Sequence, residues 1–160
     1  MHMKMGWDED AFTITELDPL TAELLRRIPG CASADDDAAR RRIFPSPTGG
    51  TEEEADADWR ETVEPELHEL FASNVETVQG DLKKMEQVEE GMRLTVPVKH
   101  APAWIHTINQ ARLALGARHH ISEDHMNGVE MPPDPQDAFA VFQVEFYGAV
   151  LSFLIYHSEW

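Results

Sequence analysis

The sequence predicts a mainly helical protein: a compact bundle around a central apolar C-terminal helix, with a small two-stranded β element. Three observations carry this expectation. The stretch from about Asp137 to His157 is apolar over most of a helical circumference, the pattern of a helix surrounded by others. Leu67, Leu70, Phe71, Val75, Val78 and Leu82 recur at helical spacing and form one stripe. Two short segments, Phe12 to Leu17 and Met92 to Val96, read as strands able to pair.

Taken in order, Phe12 and Ile14 alternate with Thr13 and Thr15 as a strand requires. A helix starts next, because the Asp18 carboxylate can accept from first-turn amides and Pro19 suits the first helical position. Leu20, Leu24 and Ile28 fall on one face, and Pro29-Gly30 is expected to end it. A short helix is expected over Ala38 to Phe44, before a turn rich in proline and glycine. Glu52 to Glu69 is dominated by acids, its early part reading as exposed helix or loop. The clearest helix runs from about Thr62 to Leu82, with Pro65 in its first turn, where a missing amide costs little. Another starts near Pro102 and ends near Gly116, with Trp104, Ile108, Ala111 and Leu115 inward. A loop with three prolines and a glycine, Ser122 to Gln136, precedes the last helix.

Composition narrows the function classes. The 160 residues suit one domain, taken as 1–160, able to bury about 68–70% of the surface of the unfolded chain. The formal net charge of -17 repels phosphate backbones, so nucleic acid is not an expected partner. The start, Met1 to Trp7, lacks the apolar run of a signal peptide. Phe139 to Tyr156 approaches the length of a membrane span but carries Gln143 and Glu145 without flanking cations, and reads as a buried helix with no membrane role. Cys31 is the single cysteine, so no internal disulfide can form, which fits a reducing, cytoplasmic location.

Two clusters have residue types that bind ligands. Arg40, Arg41 and Arg42 are the densest cationic spot; guanidinium forks suit phosphate or carboxylate, or pair with the protein's own acids. His119, His120 and His125 lie with Glu123 and Asp124 in one segment, a ligand set for a borderline divalent metal. Against this, adjacent histidines diverge in regular structure and the spacing of a helical zinc motif is lacking; a polar helix end is the competing reading. No catalytic residue is assigned, since nucleophile elbows, phosphate loops and dinucleotide fingerprints are missing, and no cofactor is expected.

Three stretches resemble an uncharacterised bacterial family, domain of unknown function number two thousand and seventeen. Arg41-Arg42-Ile43-Phe44-Pro45 looks like its arginine-rich helix end, and Glu61 to Leu82 is similar to its long amphipathic helix. The best match is Trp104 to Arg118, where Trp104, Asn109, Arg112, Leu113, Gly116 and Arg118 follow the family's pattern. Ile108 departs from it, standing where the family usually has leucine, and the segment Val96 to Pro102 is longer. The resemblance implies a compact helical fold with a strand pair and no established activity. It also implies a gene neighbourhood beside the adaptor of the Clp protease, a hint of protein quality control.

Arg112 falls on the apolar face of its helix, where an unpaired guanidinium is costly. Two arrangements answer this: a buried pair with Glu145 of the last helix, or an Arg112 that snorkels outward while Glu145 faces solvent. The resulting expectation is a non-enzymatic interaction or regulatory protein with a protein partner, its apolar last helix also allowing a homodimer. The alternative is a small metal- or anion-binding enzyme using the histidine segment or the arginines.

Overall fold

Phe12 and Ile14 point into the core because they alternate along β2 (Ala11–Leu17), one of two inner strands of an antiparallel sheet. The computed structural model describes residues 2–158; Met1, Glu159 and Trp160, included in the expected domain, lie outside the described residues. β2 pairs on one side with β1 (Lys4–Trp7) and on the other with β4 (Gly91–Pro97), which pairs with β3 (Glu86–Val88). The sheet order is therefore β1-β2-β4-β3, four strands where two were expected. The outer two are four and three residues long, too short to show an alternating pattern.

A bulge between Ile14 and Leu17, with Glu16 at φ 55°, returns Leu17 to the inner face out of phase. Gly91 sits against that bulge at φ +112°, where a β-carbon would lie 2.8 Å from the Leu17 carbonyl oxygen. Only glycine fits both demands.

The helices begin with α1 (Pro19–Arg26), capped as expected by Asp18, which accepts from the Thr21 amide at 2.8 Å. Leu24 and Leu25 are buried, but Leu20 is exposed. Pro29 and Gly30 do not end this helix; they lie inside a separate turn, α2 (Ile28–Cys31), whose first positions tolerate proline. α3 (Asp37–Ile43) is capped by Asp36. The acidic stretch forms α4 (Glu53–Thr62), followed by α5 (Glu64–Leu82). A 3-10 turn, Val98–His100, leads into α6 (Ala101–Arg118). The one-turn α7 (Glu123–Met126) and α8 (Pro135–His157) complete the chain.

The hub is α6 rather than α8. It packs against α2, α3, α5 and α8, and Trp104, Ile108 and Ala111 are wholly buried. The C-terminal helix α8 leans on α6 and buries Val144, Tyr147, Val150 and Leu154, while Glu145, Ala149 and Ser152 face outward. α8 is long and apolar enough to cross a membrane, with half of its apolar window buried inside the fold. An apolar circumference therefore overstated its enclosure. The stripe on α5 is also only partly covered: Val78 and Leu82 are buried, Leu67, Phe71 and Val75 are half-buried, and Leu70 is exposed.

One buried polar cluster ties α5 to α6. Asp81, in the last turn of α5, is buried and accepts from the Trp104 indole N–H at 2.9 Å. His100 Nδ1 lies 2.9 Å from the same oxygen and 3.0 Å from the other one. A buried carboxylate without such partners would be costly, so this cluster fixes the packing of the two helices.

Candidate functional site

Asp36 starts α3 so that Arg40, Arg41 and Arg42 all fall in its last turn, where the helix dipole favours cations. All three are exposed. Arg40 and Arg41 reach a polar cleft of about 280 Å³, which Arg60 of α4 enters from the other side; Arg42 lies outside it. The floor is acidic. Asp56 is buried and accepts from the Thr48 hydroxyl at 2.9 Å. Glu64 is buried and 3.6 Å from both the Arg40 guanidinium and His68 Nε2. Beyond it, Phe44 stacks on His68 and on Phe71, with ring centroids 3.9 and 5.2 Å apart. The arginine cleft and the hollow lined by Phe71 and Val75 of the α5 stripe thus meet at Phe44.

The three candidate metal ligands do not converge. His119 caps α6 and its Nδ1 is 2.7 Å from Asp137 of α8. His120 is exposed, in the left-handed region at φ 50°. His125 belongs to the capping box of α7, where its Nδ1 accepts from the Ser122 amide at 3.0 Å. Among the described residues no three histidine, cysteine or carboxylate side chains are grouped to hold an ion.

The best-matched helix motif is largely architectural. Trp104 serves Asp81, as described. Arg118 uses each of its three nitrogens on the α2–α3 connection: Nε on Asp36 at 2.6 Å, one terminal nitrogen on the Cys31 carbonyl at 2.8 Å, the other on the Ser33 carbonyl. Gln110, which no sequence signal marked, donates to the Ala32 carbonyl in the same loop at 2.5 Å. Asn109 is exposed, Leu113 is half-buried, and Gly116 has open space where a β-carbon would stand.

Of the two arrangements open to Arg112, the pair with Glu145 is not formed. Arg112 lies half-buried across Gly148 and donates from Nε to the Val144 carbonyl at 3.3 Å. Glu145, one residue further along α8, is turned about 100° away and faces solvent. The guanidinium is served by helix backbone instead of a carboxylate.

Cys31 is half-buried, and burial pushes its thiol above the usual range. Its contact is the Gln143 amide at 3.6 Å, an environment unlike that of an activated thiolate.

The fold and these sites define a helical protein with a small antiparallel sheet, whose conspicuous charged groups mostly brace its own elements. The family model described as Domain of unknown function (DUF2017) matches residues 8–157, and the chain belongs to that family. No curated protein and no solved structure matches it.

Proposed function

We propose that this is a cytoplasmic, non-enzymatic interaction protein. Its partner is a protein that sets apolar side chains, rimmed by acids, on the N-terminal half of α5. The observation that carries this reading is the uncovered stripe: Leu70 is 55% and Val63 40% exposed, beside the half-buried Leu67 and Phe71. Covering such side chains contributes about 1.5–3 kcal/mol each. Arg40, Arg41 and Arg60 line the neighbouring cleft on a chain that is otherwise strongly acidic, so attraction there selects an acidic rim and opposes a basic one. The partners of His100, His119 and His125 are structural, which supports binding over catalysis. A role near Clp-type protein quality control belongs to the proposal on the gene neighbourhood of similar chains alone.

The test is capture from native lysate with the wild-type protein and with a Val63→Asp, Leu70→Asp variant whose thermal unfolding matches wild type. A discrete protein retained by wild type, lost with the variant and weakened by added salt, is expected. An identical set of proteins on both, or none on wild type, would overturn the reading.

A further inference from the structure

We propose that the cleft between α1–α2, the end of α6 and the start of α8 binds a small amphipathic carboxylate bearing an N–H. The inference goes beyond the protein-partner surface and shares no residue with it. The cleft has a volume of about 640 Å³, within the usual size of small-molecule sites.

Its charge is unlike that of the rest of the molecule. The whole chain has 30 acidic and 13 basic residues, yet Arg26, Arg27 and Arg118 line this cleft and no carboxylate does. Each Arg118 nitrogen already donates to Asp36 or a backbone carbonyl, and His119 is engaged by Asp137. Arg27 keeps its terminal nitrogens for a ligand: among the described residues its one ion pair runs from Nε to exposed Glu23, and its guanidinium is held over the Phe139 ring at 5.6 Å. Arg26 is exposed and has no ion-pair partner among the described residues. The cleft is therefore lined by two guanidinium groups able to serve a carboxylate.

The walls are apolar, from Leu115 and Phe139. Deeper, Gln143 is buried at 5% exposure and only loosely held. Its Nε2 donates to Tyr147 Oη at 3.5 Å and to Cys31 Sγ at 3.6 Å, both long. Its carbonyl oxygen accepts no hydrogen bond among the described residues, although it lines the cleft. That oxygen is not sealed from solvent, and an acceptor left open to it suits a ligand N–H. Cationic lining, apolar wall and unfilled acceptor together describe an acylated apolar amino acid. The same chemistry exists at the end of a polypeptide chain.

The probes are N-acetyl-L-leucine, its neutral amide, and a hexapeptide ending in leucine, titrated into the full chain by amide NMR. Saturable shifts confined to residues around Gly30, Leu115 and Phe139 are expected for the acid, with the neutral amide at least about tenfold weaker. Arg26→Gln with Arg27→Gln should weaken the acid about tenfold and leave the amide unchanged. Gln143→Met should weaken both. A hexapeptide that binds about tenfold tighter than the free acid identifies a chain end as the source, and equal binding identifies the free acid. Acid and amide binding alike, no saturable shift, or an unaltered double-arginine variant would each overturn the proposal. None of these outcomes touches Val63 or Leu70, so the two proposals fail separately.

Discussion

Replacing Trp104 by Phe keeps an aromatic ring in the hub helix but removes the N–H that buried Asp81 accepts at 2.9 Å. The magnitude follows from two contributions. A hydrogen bond to a charged group contributes about 1.5–3 kcal/mol, and its loss leaves the carboxylate with His100 alone. Trimming indole to phenyl removes one or two methylene equivalents of wholly buried surface, about 1–1.5 kcal/mol. Urea unfolding of Trp104→Phe should therefore show a loss of about 2.5–4.5 kcal/mol. A double-mutant cycle with Asp81→Leu separates the two parts, because packing is lost in either background and the bond in only one. Coupling of at least about 1 kcal/mol is expected. Additivity within about 0.5 kcal/mol would refute the claim that the indole–carboxylate bond holds α5 to α6.

Three further perturbations probe other parts of the account. The cycle Arg112→Met with Glu145→Leu should show coupling below about 0.5 kcal/mol in the same unfolding assay, since the two side chains do not meet. Gly91→Ala should destabilise by more than about 1 kcal/mol, because it forces a β-carbon to 2.8 Å from the Leu17 carbonyl at a positive φ; thermal unfolding at wild-type stability would contradict it. Asp18, whose carboxyl is lowered to about 2 by the Thr21 amide and hydroxyl, contributes stability that is present above pH 3.8 and lost as pH falls through about 2. Asp18→Ala should thus lower the melting temperature at pH 7, with the gap to wild type closing between pH 4 and pH 2. A gap that stays constant over that range would contradict it.

Local signals were legible in the sequence, and long-range ones were not. The Asp18-Pro19 start, the alternation of Phe12 and Ile14, and the inward face Trp104-Ile108-Ala111 each depend on neighbours a few residues away, and all appear in the fold. The outer strands escaped because three or four residues cannot display a period. Arg118 was marked by its motif, but its role could not be read, since its partners Cys31, Ser33 and Asp36 are 82 to 87 residues away. Gln110 and Asp81 had no local signal at all: one bonds a carbonyl 78 residues back, the other an indole 23 residues ahead. Arg112 was placed correctly on an inward face, but its acceptor was a backbone carbonyl, which sequence cannot single out. The histidine segment shows the same limit from the other side. Three imidazoles close in sequence are turned apart by a helix end, a left-handed residue and a capping box.

The claim that this chain works by binding a protein at α5 is tested most directly by photo-crosslinking in living cells. A photoreactive residue replaces Leu70, at the centre of the uncovered stripe, or Glu145, on the outer face of α8. The account predicts a discrete higher-mass adduct from position 70, absent from position 145 and lost when Arg40, Arg41 and Arg60 are changed to Gln. Adducts from position 145 alone, or none from position 70, would contradict it and shift attention to the face of α8.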